Sequence, residues 1–304
     1  MRIPIVLDCD PGHDDAMALL YALASPTLEV RAVTTVAGNQ TLDKTTRNAL
    51  RVLELAGRTD IPVAAGADRP LVRARWTAAY VHGETGLDGP DLPSPQIAPV
   101  SHHAVDVLAA ELGPGVTLVA IGPLTNVALL LALHPETRPD RIVLMGGAIG
   151  EGNSTPAAEF NIFVDPEAAK RVFESGIPLV MVGLDVTHQA LATPPYAEAM
   201  RASGRVGKAV AEMIDFYGKF HVDEYGWEGP PVHDAVAVAY VERPELLHVE
   251  ACAVEIETQS ELSRGRTNVH LRDRTGRAPN ADVAVGIDAP AFLDLLVERI
   301  ASFG

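Results

Sequence analysis

Short apolar runs alternate with amphipathic segments along most of the chain, a pattern typical of strands and helices that follow one another in a parallel sheet. An apolar run after residue 3 predicts the first strand, and Pro11-Gly12 ends it before an apolar helix. Further strands are predicted over 28–36, 116–121, 141–145 and 177–184. Helices are predicted over 42–55, 103–112, 127–133, 195–200, 206–217 and 235–241.

The C-terminal part of the chain has a different pattern. Predicted strands over 249–257, 267–272 and 283–286 follow one another without intervening helices, and an amphipathic helix over 290–300 ends the chain. We therefore predict an α/β fold in one domain over residues 1–304. It consists of a single doubly wound, mostly parallel sheet flanked by helices, with a small antiparallel C-terminal appendage.

Four carboxylates follow the first predicted strand, where the Pro-Gly turn leads into the helix. They are Asp8, Asp10, Asp14 and Asp15. Ligands of open α/β sheets bind at the carboxyl ends of strands, and carboxylates crowded there repel one another unless a cation lies among them. Oxygen ligands favour Ca²⁺ or Mg²⁺. This pattern predicts a metal site, although acidic residues at a helix N-terminus also occur simply because they stabilise the helix dipole.

Polar side chains follow two other predicted strands. Asn39 comes after the second strand, in a Gly-Asn pair that is also common in ordinary turns. Asn153, Glu159 and Asn161 follow the strand over 141–145, and no helix cap is expected of them. Their glycine-rich surroundings match neither phosphate-binding signature. Amide and carboxylate groups both suit the hydroxyl groups of a sugar.

Two Gly/Pro-rich segments carry further candidate residues. Residues 66–100 contain His82, and long loops of this kind are usually functional lids or disordered insertions. A second loop, with Tyr225, leads into His233-Asp234 at the start of a helix. Taken alone, His82 is more simply a surface histidine, and Asp234 is a helix N-cap. His233 has no such simple role.

Composition limits the possible partners and the compartment. A net charge of −16 disfavours nucleic acid and anionic membranes as partners. Two cysteines, Cys9 and Cys252, predict no disulfide framework and suit a reducing compartment. The charged first 24 residues contain no signal-peptide core, and no apolar run reaches about 18 residues. We therefore expect a cytoplasmic protein.

Five motifs, taken together, resemble those of the nucleoside hydrolases, which include inosine/uridine-preferring and pyrimidine-specific ribonucleoside hydrolases. These are Ca²⁺-dependent enzymes that cleave the N-glycosidic bond of nucleosides. The resemblance extends from residue 3 to about residue 240, with the motifs in the same order. The motifs are Asp8-Cys9-Asp10-Pro11-Gly12-His13-Asp14-Asp15-Ala16, Ala37-Gly38-Asn39, Gly122-Pro123-Leu124-Thr125-Asn126, Glu159-Phe160-Asn161 and His233-Asp234.

The resemblance implies a role for each candidate residue. Ca²⁺ is expected on Asp10, Asp15, Asp234 and the main-chain carbonyl of Ile121, with Asp10 also activating the attacking metal-bound water. His233, His82 and Tyr225 are expected near the leaving base. His221 occupies a position where close relatives often have a different polar side chain. The residues expected to bind the ribose are Asp14, Asn39, Asn153, Glu159 and Asn161. A homotetramer is also implied.

Two alternative functions fit part of the pattern. A carboxylate pair after a buried strand also begins the Mg²⁺-dependent haloacid-dehalogenase-type phosphatases, but these have Thr or Val two residues after the second aspartate, where this chain has Gly12. A non-catalytic calcium-dependent sugar-binding protein would also need acidic and amide groups. Turnover of a nucleoside to free ribose distinguishes the hydrolase from both.

Overall fold

The apolar runs of the sequence form the strands of a central sheet in the computed structural model, which describes residues 2–272 and 275–304. The strands, β1 to β9 in chain order, are Ile3–Cys9, Leu28–Thr35, Val63–Ala65, Thr117–Ala120, Arg141–Met145, Leu179–Val182, Leu247–Ile256, Thr267–His270 and Ala281–Ile287. The helices, α1 to α12 in chain order, are His13–Ala24, Leu42–Leu55, Ala79–His82, Ala104–Glu111, Thr125–Leu133, Phe160–Val164, Pro166–Phe173, Leu184–Thr187, Pro194–Arg201, Arg205–Tyr225, His233–Glu242 and Ala289–Ala301.

The strands pair in the order β3-β2-β1-β4-β5-β6-β9-β7-β8. The first six strands and β9 pair in parallel, whereas β7 is antiparallel to both β9 and β8. The predicted fold class is therefore confirmed, with one refinement. The last strand, β9, extends the parallel part of the sheet, so only β7 and β8 form the antiparallel edge.

The chain reverses direction in the sheet between β1 and β4. From β1 it moves outward to β2 and β3, and then it returns to the other side of β1. Loops that follow the two strands at such a point diverge and leave a crevice at the carboxyl ends of the strands. Here Asp8 pairs with Ala120, and the N–H of Ile121 donates to the carbonyl of Asp8 at 2.8 Å. The Asp8–Asp15 segment therefore begins beside Ile121.

The core lies on both faces of the sheet, as expected for buried parallel strands. Along β1, Ile5 and Leu7 pack into the apolar cluster on one face, and Val6 packs into the cluster on the other. This alternation follows from the two-residue period of a strand. Among the described residues, no helix is long and apolar enough to cross a membrane.

Most predicted elements are present, with different ends for some of them. The helix over 42–55 and the strand over 141–145 have the predicted bounds. The helix predicted over 206–217 continues to Tyr225, and Gly218 and His221 extend its buried face beyond Tyr217. The prediction that Tyr225 lies in a loop is therefore wrong. The short elements β3, α3, α6 and α8 have three to five residues each and were not predicted.

Candidate active site

Four buried carboxylates lie close to the carboxyl end of β1 and at the start of α1 and α11. They are Asp10, Asp14, Asp15 and Asp234, and we call them the acidic cluster. Oxygen atoms of Asp14, Asp15 and Asp234 lie within 4.8 Å of one another. Asp15 is oriented by the main chain, since its Oδ1 accepts from the N–H of Asp10 at 3.1 Å and its Oδ2 from that of Gly12 at 3.0 Å. The strand-to-helix turn thus fixes Asp10 and Asp15 relative to each other.

The hydrogen bonds of the acidic cluster do not fully stabilise the charged forms of its carboxyl groups. Burial, with the neighbouring carboxylate of Asp15, raises the pKa of Asp10 well above its ordinary value. The same two causes raise the pKa of Asp14 to about 8. Burial also raises the pKa of Asp234, as does the nearby Asp14. In the described structure, Oδ1 of Asp10 and Oδ1 of Asp14 are buried without any hydrogen-bond partner.

These observations test whether a cation fits the site. A cation among the carboxylates would favour their charged forms and would use the unpartnered oxygen atoms. A set of ligands made only of oxygen atoms suits a hard divalent ion. The residues present therefore fit a divalent cation.

Asp8, the first of the four carboxylates predicted after β1, is hydrogen-bonded to side chains of β2 and α5. Its Oδ1 accepts from the hydroxyl of Thr34 at 2.5 Å and from the amide of Asn126 at 2.8 Å. Asn126 also donates to the carbonyl of Thr35 at 3.0 Å. Asp8 and Asn126 therefore connect the ends of β1 and β2. Burial raises the pKa of Asp8 to about 6.

Asn39 connects the second strand end to the acidic cluster. Its main-chain N–H donates to Oδ2 of Asp10 at 2.6 Å, and its side-chain amide donates to Oδ2 of Asp15 at 2.9 Å. Ile121 takes its predicted place after β4, with its carbonyl accepting from the amide of Asn161 at 2.9 Å. The same amide donates to the carbonyl of Met145 at 3.1 Å.

The expectation that none of Asn153, Glu159 and Asn161 is a helix cap is wrong for Glu159. Glu159 is the N-cap of α6, where its carboxylate accepts from three main-chain N–H groups at 2.8–3.1 Å. Oδ1 of Asn153 accepts from the N–H of Phe160 at 2.9 Å. Burial raises the pKa of Glu159 to about 7. These contacts hold the three side chains in fixed positions, and all three also line the cavity described next.

A cavity of about 350 Å³ joins most of the predicted site residues. Those that line it are Asp14, Asn39, His82, Ile121, Asn153, Glu159, Asn161, His221, Tyr225, His233 and Asp234. Asp10 and Asp15 do not line it but contact Asn39, which does. One cavity therefore connects the acidic cluster with the histidines and tyrosine that lie far away in sequence.

Aromatic rings and histidines form the other part of the cavity wall. His221 on α10 stacks on Trp227 with ring centroids 5.8 Å apart, and its Nδ1 donates to the carbonyl of Tyr217 at 3.0 Å. Nδ1 of His233 lies 2.7 Å from the hydroxyl of Thr187. Burial lowers the pKa of His82 and of His233 well below the ordinary value, and it lowers that of His221 to about 4.

His188 and Tyr217 are among the cavity residues that were not predicted as site residues. His188 follows directly after α8, with its ring centroid 4.8 Å from that of Trp227 and 5.5 Å from that of His233. Tyr217 stacks on His82 with centroids 5.2 Å apart. His188 follows the carboxyl end of β6 closely, so its position after a strand was a usable signal. Tyr217 lies in the middle of a helix and offered no such signal.

Comparisons with known proteins agree with this geometry. The family of inosine-uridine preferring nucleoside hydrolases matches residues 5–294. A pyrimidine-specific ribonucleoside hydrolase RihA of Citrobacter koseri is 54% identical over 100% of this chain and 99% of its own length. A protein of the same name from Shewanella sp. (strain ANA-3) is 55% identical over 100% of this chain and 98% of its own length.

Solved structures give the same result. The purine-preferring ribonucleoside hydrolase from Gardnerella vaginalis superposes with a TM-score of 0.92 at 33% identity, covering 99% of this chain and 98% of its own. The plant nucleoside hydrolase PpNRh1 superposes with a TM-score of 0.91 at 34% identity, covering 99% of both chains. An N-glycosyl hydrolase is neither the phosphatase nor the non-catalytic sugar-binding protein considered above. Similarity along the whole chain shows that this protein hydrolyses N-glycosyl bonds and belongs to the inosine-uridine preferring nucleoside hydrolase family.

Proposed function

We propose that this protein hydrolyses pyrimidine ribonucleosides, uridine and cytidine, to ribose and the free base. The observation that carries the proposal is the single cavity that has buried carboxylates in one part and histidine and aromatic rings in another. The base preference rests on identity, which is 54–55% to the pyrimidine-specific relatives and 33% to the purine-preferring enzyme.

The proposed cation is Ca²⁺, held by Asp10, Asp15, Asp234 and the carbonyl of Ile121. Buried oxygen atoms without partners and the absence of nitrogen or sulfur from this set support a hard ion. When bound, such an ion lowers the pKa of a water molecule that contacts it. Asp10 is the proposed acceptor of the proton from that water, because its Oδ1 is unpartnered while its Oδ2 is held by Asn39.

The ribose is proposed to bind between the acidic cluster and the strand ends. The side chains assigned to its hydroxyl groups are Asp14, Asn39, Asn153, Glu159 and Asn161. Departure of the base leaves an oxocarbenium-like ribosyl centre. Carboxylates held in place before the reaction stabilise that positive charge without reorganising.

The leaving base is proposed to bind at the histidine-rich part of the cavity. His233 is assigned as the proton donor, and His82 and Tyr225 support it by contacts with the base. His221 is assigned to base binding, since it lies against Trp227 and Tyr225 in the cavity wall. A positioned proton donor contributes typically about 10²–10⁴-fold to a rate.

One assay tests this function. The released reducing sugar, ribose or 2-deoxyribose, is measured for uridine, cytidine, inosine, adenosine and 2′-deoxyuridine, and kcat/KM is compared. We expect uridine and cytidine to exceed both purine nucleosides. We expect 2′-deoxyuridine to fall below uridine by orders of magnitude, because sites built to bind a hydroxyl discriminate strongly against its loss. Equal or higher values for the purine nucleosides would overturn the base assignment, and equal values for 2′-deoxyuridine would overturn the ribose assignment.

We also propose that the chain is one domain over residues 1–304 and forms a cytoplasmic homotetramer. A sheet whose strands run from Ile3 to Ile287 supports the single domain. Two free and buried cysteines, Cys9 and Cys252, are compatible with a reducing compartment. Light scattering coupled to size-exclusion chromatography measures the assembly directly.

A further inference from the structure

His13, which has no role in the function proposed above, lies directly behind His82. The ring of His13 is fully buried at the start of α1. Its Nδ1 lies 3.1 Å from Nδ1 of His82, and its Nε2 lies 2.7 Å from the carbonyl oxygen of Asp88. The three groups form a chain that runs from the cavity wall into the 83–90 loop.

The positions of the protons in this hydrogen-bonded series follow from which atoms can only accept. A carbonyl oxygen only accepts, so Nε2 of His13 carries a proton and donates it to Asp88. A neutral His13 then has a lone pair on Nδ1. Two ring nitrogens 3.1 Å apart repel unless a proton lies between them, and this proton must come from Nδ1 of His82. His13 is fully buried, and neither ring nitrogen is hydrogen-bonded to a carboxylate, so a charged ring would be left without a paired anion.

One contact competes with this arrangement. The main-chain N–H of His13 lies 3.3 Å from Nδ1 of His82 and would require a lone pair there. That contact is longer than the ring-to-ring contact of 3.1 Å. Accepting it would place two lone pairs against each other or would require a buried cation at His13. The ring-to-ring hydrogen bond is therefore the favoured one.

We propose that His13 is a positioning residue that keeps the proton of His82 on Nδ1, so that Nε2 of His82 accepts a hydrogen bond from the base. This inference rests on the function proposed above. No described residue makes a hydrogen bond to Nε2 of His82, and His82 lines the cavity. Uracil has an N–H donor at N3, and cytosine has an amino donor. The substrate class recognised at this point is thus a pyrimidine base through its hydrogen-bond donor.

The surroundings of the two rings fix this geometry. Tyr217 stacks on both rings, with centroids 5.4 Å from His13 and 5.2 Å from His82. Gly12 allows the approach, because a Cβ atom there would lie 2.6 Å from Nδ1 of His82. The carboxylate of Asp88 accepts from the N–H of Glu84 at 3.0 Å, which holds the loop that carries the acceptor carbonyl.

The proton position is measured by ¹⁵N NMR of histidine-labelled protein, since protonated and bare ring nitrogens have very different shifts. The signals of His82 are identified by their loss in His82→Ala. We expect Nδ1 of His82 to be protonated and Nε2 to be bare in the unsubstituted protein. A protonated Nε2 with a bare Nδ1 would overturn the proposal without any variant at residue 13. This readout does not depend on catalysis, so a protein that fails to hydrolyse uridine would refute the proposed function and leave this result standing.

A matched pair of variants separates positioning from packing. His13→Asn and His13→Leu both lose the ring and the contact with Asp88, but only Asn retains an oxygen that accepts from Nδ1 of His82. We expect His13→Leu to lose roughly 10- to 100-fold in kcat/KM for uridine, the effect of about one hydrogen bond to substrate. We expect His13→Asn to retain most of the activity and the wild-type shifts of His82. Equal losses in the two variants would overturn the proposal.

Discussion

The surroundings of the Asp10 carboxyl group suit catalysis but lower the stability of the folded protein. It is buried beside Asp15, one of its oxygen atoms is unpartnered, and burial raises its pKa. A group with these properties is typical of a functional site, because burying an unpaired charge costs stability. The polar residues around Asp10 differ from it, because Asn39, Glu159 and Asn161 all make hydrogen bonds that hold them in place.

Substituting Asp10→Asn should therefore have opposite effects on activity and on stability. We expect a loss of about 10²–10⁴-fold in kcat for uridine, the usual effect of losing a general base. Removing one of the crowded charges should raise the stability of the metal-free protein, because burial and the neighbouring Asp15 disfavour the charged form of Asp10. Calorimetry in chelator measures the second effect. Asp294→Asn, an exposed position on α12, is the control, and a drop in melting temperature for Asp10→Asn would contradict the prediction.

His233→Ala should affect two substrates differently. We expect most uridine turnover to be lost, because departure of uracil needs a proton, while p-nitrophenyl riboside should keep nearly all of its turnover because its leaving group is activated. Steady-state rates on both substrates provide the measurement. If His233 only positions Asp234, its neighbour in the acidic cluster, both substrates should lose activity equally. Equal losses would thus exclude the proton-donor role.

Residues at the carboxyl ends of the strands form the site, and the turns that follow these strands pack closely against one another. Asp10 follows β1, Asn39 follows β2 and Ile121 follows β4, so three parallel strands supply one site from their carboxyl ends. Gly122 illustrates how closely these turns approach. A Cβ atom at that position would lie 2.5 Å from Oδ1 of Asp10.

Gly122→Ala should consequently displace the carboxylate of Asp10. We expect uridine turnover to fall by roughly 10²-fold, since a displacement of about 1 Å can cost that much. The matched control is Gly113→Ala, where an added Cβ meets nothing within 4 Å. That control should retain its activity. Its free energy of unfolding should stay the same or rise by up to about 1 kcal/mol, because alanine reduces the conformational entropy of the unfolded chain. Activity in Gly122→Ala equal to that of Gly113→Ala would show that the turn tolerates a methyl group.

The protein as a whole carries a net charge of −16, and part of that charge is concentrated in the buried cluster. A carboxyl group whose pKa is raised on folding destabilises the folded state once the pH exceeds its ordinary pKa. The pKa of Asp14 rises from 3.8 to about 8. The destabilisation therefore grows between these two values.

The metal-free protein should accordingly lose stability as the pH rises from about 6.5 to 8. Below the ordinary histidine pKa of 6.5, the buried His82, His221 and His233, whose pKa is lowered by burial, change stability in the opposite direction. Because a cation that binds only the folded state stabilises it, addition of Ca²⁺ should raise the melting temperature most at the upper end of this range. Calorimetry at several pH values, with chelator and with Ca²⁺, measures both effects. The slope should be smaller in metal-free Asp10→Asn. A melting temperature that rises with pH in chelator over the same range, or that does not respond to Ca²⁺, would contradict the prediction.

The sequence by itself determined the longer elements, the fold class and the family. Buried parallel strands read as continuous apolar runs, so β1 and β5 are visible without any knowledge of their neighbours. The carboxylates after β1 are equally visible, because residues at strand ends are local in sequence. The roles assigned to the site residues stay predictions. The structure places most of these residues around one cavity, and Asp10 and Asp15 lie beside it, in contact with Asn39.

Only the tertiary structure decided how distant residues meet. It placed β9 between β6 and β7, used the carboxylate of Glu159 as a helix cap, and set His13 against His82. None of these contacts follows from periodicity, which reports the buried face of one element but not the side chain that packs against it. Such contacts depend on strand order and register, and these are decided by the packing of the whole chain.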